Sequence, residues 1–242
     1  MRSNLFKILL TFGIIYYSSA LYGEDFNLKL VHSADSLFEK KQYTESMEFY
    51  EECFQSHYYT PRMLIRMSLI KEGLGDYTYA LYYLSQYYYK IHDKSVLKKM
   101  DELASRYNLE GYDYNDLLFF NSLYDRYYNY VILAFLASSS LLLFYIYLMR
   151  NKRRGKILRP LIFILILGTV FTLSNYSILP EKAIISNDAA LMSAPSAGAE
   201  LIGKINKGHM TNSIGKEDIW CKLNWHGKTV YIRENNLLFV EK

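Results

Sequence analysis

Two long apolar runs, Tyr130–Met149 and Ile157–Tyr176, dominate the pattern of hydrophobic and polar positions along the chain. Neither holds Asp, Glu, Lys or His, and Arg159 is the one cation in them. A helix of about 20 residues spans a ~30 Å hydrocarbon core, and a backbone in lipid must satisfy its own hydrogen bonds. The pattern therefore predicts transmembrane helices over 130–149 and 157–176, joined as a hairpin by the short loop 150–156. Arg150, Lys152, Arg153, Arg154, Lys156 and Arg159 give the loop side six cations and no acid, which assigns it to the cytoplasm and both outer ends to the opposite side. Tyr124, Tyr127, Tyr128 and Tyr130 at one outer end and Tyr176 at the other fit an interfacial aromatic belt.

Residues 1–20 read as a signal peptide, with Arg2 and Lys7 before the apolar stretch Ile8–Tyr17 and small residues up to Ala20. It is either cleaved there or kept as an anchor. Residues 24–110 carry helical periodicity, and 111–129 lead into the first membrane run as a juxtamembrane helix. The helical region repeats itself: the turns at Lys41 and Gly75 lie 34 residues apart, Ala34 and Ser46 have counterparts in Ser68 and Ala80, and Tyr43 has one in Tyr77. Ser95–Tyr107 is one more amphipathic helix, suited to capping the array.

Beyond Pro180 the pattern changes to short apolar runs punctuated by Gly, Asn and Asp: Ala183–Ile185, Glu200–Ile205, Ile219–Trp225, Thr229–Arg233 and Leu237–Val240. Such spacing predicts short strands in a small barrel, with Asn224–Gly227 as a hairpin connection. In the run Ile219–Trp225, alternation sends Ile219, Cys221, Leu223 and Trp225 to the core and Trp220, Lys222 and Asn224 outward.

The 34-residue repeat, with small residues in each helix and Gly75-Asp-Tyr-Thr-Tyr-Ala80 at the second turn, resembles tetratricopeptide (TPR) repeats. The string Ala190-Leu-Met-Ser-Ala-Pro-Ser196, Lys207-Gly208, Asp218-Ile-Trp220, Trp225-His-Gly227 and Tyr231-Ile232 resembles the bacterial SH3-like (SH3b) domain over 182–242. The fold class expected is a multidomain membrane protein with all-α TPR-like repeats, a two-helix transmembrane hairpin and a small all-β SH3b-like barrel. That architecture is similar to Bacteroidetes TPR/SH3b membrane proteins of the Bat (Bacteroides aerotolerance) type. The resemblance implies an envelope protein and brings no active site with it.

Charge adds topology rather than chemistry. The net +4 is segregated: residues 24–128 hold 12 Lys and Arg against 17 Asp and Glu, while the basic loop is wholly cationic. The basic balance therefore does not point to nucleic acid. The five histidines show no metal-ligand spacing, Glu51-Glu52 and Glu217-Asp218 point apart as sequence neighbours, and no phosphate loop or nucleophile elbow occurs. With Cys53 and Cys221 in different regions, a disulfide framework is not expected. The sequence implies no enzyme, no metal and no cofactor. Trp220, Trp225 and Tyr231 are the candidate ligand-binding residues, because aromatic grooves on SH3-like barrels hold extended peptides. The expected function is a non-enzymatic inner-membrane scaffold with both soluble regions periplasmic. Its expected partners are the lipid bilayer and envelope or membrane proteins; the alternative is a cell-wall tether whose barrel binds peptidoglycan.

Overall fold

Helix punctuation in the amino-terminal half is local and strong. Thr60 Oγ1 accepts the Met63 N–H at 3.2 Å just ahead of Pro61, Asp76 accepts the Tyr79 N–H, and Asp93 accepts the Ser95 N–H at 2.9 Å. These caps open three of five consecutive helices: α1 (26–39), α2 (Tyr43–Gln55), α3 (Pro61–Gly73), α4 (Tyr77–Ile91) and α5 (Lys94–Arg106). The structure is a computed structural model describing residues 26–112, 116–148, 158–175 and 181–240. It combines helices with one antiparallel sheet. The signal segment and the cations from Arg150 to Lys156 lie outside the described residues.

The 34-residue periodicity has a structural counterpart. Lys41 and Gly75, the two turn positions, both adopt left-handed backbone, with φ of 64° and 75°. Glycine suits that conformation and lysine tolerates it at a cost. The four small residues Ala34, Ser46, Ser68 and Ala80 are all buried, and the Ser46 hydroxyl donates to the Ala34 carbonyl at 2.8 Å, so the helices meet where side chains are short. The two turn tyrosines differ. Tyr43 stays exposed against the edge of Phe38, whereas Tyr77 stacks on Tyr107 with ring centroids 4.2 Å apart.

One buried charge ties the first three helices together. Arg66 of α3 reaches Asp35 Oδ1 at 2.8 Å, Glu39 of the same helix α1, and the Tyr50 hydroxyl of α2 at 3.3 Å. Tyr50 donates to Asp35 at 2.5 Å. Burial, against the pull of Arg66 and with help from Asp35, pushes the Tyr50 phenol up to about 12, so it stays protonated and serves as that donor.

The next helix, α6, runs unbroken over Asp116–Leu148. One helix thus runs from within the expected juxtamembrane stretch 111–129 into the apolar run that starts at 130, and no glycine or proline interrupts it. Among the described residues, Tyr127–Ile146 is the one stretch long and apolar enough to cross a membrane. Helix α7 (Leu158–Asn175) packs along α6 and carries a shorter apolar stretch, Leu161–Thr172. The expected second span, 157–176, ends on residues outside those described. Tyr127 and Tyr130 stand exposed near the start of the apolar stretch with rings 6.3 Å apart.

The carboxy-terminal unit is a seven-stranded sheet of β1 (Glu181–Ile185), β2 (Ala189–Met192), β3 (Leu201–Ile205), β4 (Met210–Glu217), β5 (Trp220–Trp225), β6 (Lys228–Arg233) and β7 (Leu237–Phe239), in the order β3-β2-β6-β5-β4-β1-β7. Ile205 from one edge strand and Leu237 from the other share a core with Ala183, Leu191, Leu223 and Ile232, so the sheet curls around its own apolar face. Strands β2 and β4 were not among the expected runs. In β4 only its first two residues, Met210 and Thr211, are buried, and the remainder is polar or exposed, so alternation is too weak to read.

Candidate functional site

The three aromatic candidates separate into two places. Trp220 pairs with Arg233 and Tyr231 pairs with Lys222, which puts both rings on the outer face of β5 and β6, with Met192 of β2 beside Tyr231. Trp225 takes the opposite face and packs partly against the sheet core, as alternation predicts. Two corrections follow. Trp220 lies outward but is only 8% exposed, with the Arg233 guanidinium 5.6 Å from its ring centroid, so it is a covered ring and not a free aromatic anchor. Ile219 does not enter the core: β5 begins one residue later, and Ile219 sits exposed in the β4–β5 turn.

The more extensive constellation joins the two soluble units. Tyr112 and Glu110, just past α5, meet the turn before β4. The buried Tyr112 hydroxyl donates to the Gly208 carbonyl at 2.7 Å, and the Met210 N–H donates to the Glu110 carbonyl at 2.9 Å. The Glu110 N–H donates to His209 Nδ1 at 3.0 Å, and His226 Nε2 lies 2.5 Å from a Glu110 carboxylate oxygen. Trp225 is held between these histidines, stacked on His226 and edge-on to His209. Farther along, Gln86 of α4 donates to the Phe239 carbonyl at 3.3 Å. Beneath these bonds Ile184, Met210 and Val240 join Ala80, Leu84, Tyr88, Leu103 and Tyr112 in one buried cluster. Glycine is required at two points. A Cβ on Gly111 (φ 93°) would stand 2.0 Å from the Met210 carbonyl oxygen, and one on Gly208 (φ 94°) would press on Leu109 and Tyr77 at 3.0 Å.

Tyr77, Ala80, Ile184, Gly208, Trp225 and His226 stood in the repeat, in a strand run or in the SH3b-like string, but nothing in the sequence marked them or Glu110, Gly111, Tyr112, His209 and Met210 as meeting one another. Glu110-Gly-Tyr112 and Gly208-His-Met210 lie in irregular segments nearly a hundred residues apart, where no periodicity marks a contact. Elsewhere on the helical unit a hollow of about 430 Å³ is lined by Phe38, Tyr43, Leu69, Ile70, Gly73 and Leu74. Cys53 and Cys221 are both buried as free thiols, which burial pushes above the ordinary cysteine range. Among the described residues no group of three His, Cys, Asp or Glu side chains is placed to hold a metal ion.

The joint is expected to weaken in acid. Burial, with help from His226 and against the pull of Glu110, holds the His209 imidazole below its usual range. A lowered histidine pKa means that the separated state binds the proton more readily than the docked one. Docking is therefore strongest above the ordinary value of ~6.5 and weakens as pH falls through the lowered one. Protonation at Nδ1 would also set one N–H against another. The protection factors of the Glu110 and Tyr112 amides, that is, exchange relative to its intrinsic rate at each pH, are expected to fall between about pH 7.5 and 5, measured in a His226→Asn background that removes the second imidazole. His209→Gln, whose side-chain carbonyl accepts at any pH, should flatten the dependence.

Comparison with protein-family models and with curated proteins finds no match to this chain.

Proposed function

We propose that this chain is a non-enzymatic membrane scaffold whose TPR-like helical unit and SH3b-like sheet form one body on a single side of the bilayer, carried by a two-helix hairpin. The joint is the observation that carries the reading. Two units sharing a buried cluster and backbone hydrogen bonds cannot occupy opposite faces of a membrane. The chain between them must then cross an even number of times. With α6 as one span, α7 is the return, although its described apolar stretch is the shorter. Five cations from Arg150 to Lys156 fall between the two crossings and Arg159 sits at the start of the second; they favour a cytoplasmic loop and so support a periplasmic location for both soluble units. The paired turns and small-residue contacts support the repeat reading of the helical unit, and its apolar hollow is the place for a segment of an envelope protein.

Cysteine labelling tests the topology in intact spheroplasts, because the two native thiols are buried. A membrane-impermeant maleimide is expected to modify Asn108→Cys and Lys228→Cys and to leave Gly155→Cys untouched until the membrane is opened. Modification of Gly155→Cys in intact spheroplasts would overturn it. Binding of the purified protein to isolated sacculi, with no envelope protein retained, would replace the scaffold by a peptidoglycan tether.

A further inference from the structure

Among the described residues of the sheet unit, four large hydrophobic side chains are exposed: Leu201 (52%), Ile202 (42%), Ile214 (49%) and Ile219 (51%). The strand register gathers them at one end. Gly215 pairs with Lys222, Lys222 with Tyr231, Tyr231 with Met192, and Met192 with Leu201, so the start of β3 lies level with the outer part of β4. Ile214 sits at the irregularity beside Gly215, and Ile219 follows in the turn.

The same register tells which way this end points. The first residue of β1, Glu181, pairs with Ser213, and β1 then runs to Ile185, whose N–H donates to the His209 carbonyl at the joint. Strand β4 runs the other way, from the joint at Met210 out past Glu181 to Glu217. Glu181 is six residues after the end of α7 at Asn175, which limits the link to about 20 Å even when fully extended. The β4–β5 turn therefore projects back toward the end of α7. The other link agrees. Helix α6 starts four residues after Tyr112 and reaches its apolar stretch at Tyr127, a stalk of about 16 Å at ~1.5 Å per residue. From Met210 to Glu217 the strand covers about 24 Å at ~3.4 Å per residue, enough to span the height that the stalk provides.

We propose that this end of the sheet rests in the headgroup layer of the bilayer that α6 and α7 cross, with Leu201, Ile202, Ile214 and Ile219 as its inserted side chains. The proposal rests on the membrane-hairpin reading and adds a third point of attachment to the two helix ends. Charge does not drive it. Lys216, Lys222 and Arg233 at this end are matched by Glu200, Glu217, Asp218 and Glu234, and Lys216 is already paired with Glu234 at 2.6 Å. Apolar burial at the interface is the driving term, so zwitterionic lipid suffices and salt has little effect.

The test uses the full chain in phosphatidylcholine vesicles, with a spin label on Ile219→Cys, Lys228→Cys or Leu136→Cys. Collision rates with oxygen and with a water-soluble nickel chelate report depth. The label at 136 is expected deep in the hydrocarbon, that at 219 at headgroup depth, and that at 228, at the joint end, in water. The oxygen-to-nickel collision ratio at 219 should exceed that at 228 several-fold, in high salt as in low. A deep label at 136 with 219 as aqueous as 228 overturns the proposal and leaves the hairpin standing. An aqueous label at 136 overturns both. A label at 219 shielded from oxygen and nickel alike identifies a protein surface, a partner or a second copy, as the occupant and likewise overturns it.

Discussion

Gly111→Ala is expected to separate the helical unit from the sheet while leaving most of each folded. The new methyl group would sit 2.0 Å from the Met210 carbonyl oxygen, a backbone atom that no rotamer change can move aside. That strand end is fixed by the Met210 N–H bond to Glu110, so relief must come from parting the two backbones. The left-handed φ of 93° adds a second penalty for any residue with a Cβ. Strained backbone and overpacking each cost about 1–3 kcal/mol, and together they rival what a few hydrogen bonds and a small apolar contact can hold. Hydrogen exchange should quicken at 108–112 and 205–212 and stay slow at Leu223 and Val230 in the sheet core. Gly227→Ala is the control. It shares a positive φ of 76°, but a Cβ there meets nothing within 4 Å, so it should leave the joint protected. If Leu223 and Val230 open together with the joint in Gly111→Ala, the sheet does not hold its fold apart from the helical unit and this expectation fails.

Arg66→Ala is expected to cost the helical unit about 3–5 kcal/mol, the range for removing one partner of a buried ion pair. The Arg66 side chain is buried, Asp35 is mostly so, and the loss leaves the Asp35 carboxylate facing only the Tyr50 hydroxyl. The Arg66 guanidinium also lies 4.5 Å from the Phe38 ring centroid, a contact that goes with it. Lysine should rescue little, because a single ammonium cannot meet Asp35 and Glu39 at once as the guanidinium fork does. Arg62→Ala provides the contrast. It removes an exposed partner of the same Glu39, 3.3 Å away, and such surface pairs are worth ~0–1 kcal/mol. Chemical denaturation of the detergent-solubilised protein, followed by exchange at α1–α3 amides, ranks the three. Equal losses for Arg66→Ala and Arg62→Ala would remove the buried network from the account.

What could be read from the sequence was what repeats or alternates. Ala34, Ser46, Ser68 and Ala80 announced close helix contacts because only short side chains fit there, and all four are buried. The positions of Lys41 and Gly75 were found by the repeat, although lysine gives no sign by itself of left-handed backbone. The faces of β5 followed from alternation at Cys221 and Leu223. Its first residue did not, because Ile219 has the hydrophobicity of a core position and the geometry of a turn. Trp220 shows the limit of face assignment: lying outward says nothing about what a neighbouring strand lays over the ring, here Arg233. The joint could not be read because its hydrogen-bonded partners lie 96 to 153 positions apart, and Glu110, Tyr112, Gly208 and His209 sit where no periodicity marks a contact.

That separation sets an order on the making of the protein. Chains emerge from the ribosome at ~5–20 residues per second, and domains fold as they appear. The helical unit is finished at Tyr112, while its last joint contacts come from Phe239 and Val240. For a period on the order of ten seconds, at those rates, α4 and α5 stand with Ala80, Leu84, Tyr88 and Leu103 lacking the cover that Ile184, Met210 and Val240 will bring. The newborn helical unit thus offers an apolar flank to whatever is near until its own carboxy-terminal segment arrives, and a chain stopped after α7 would keep that flank open for good.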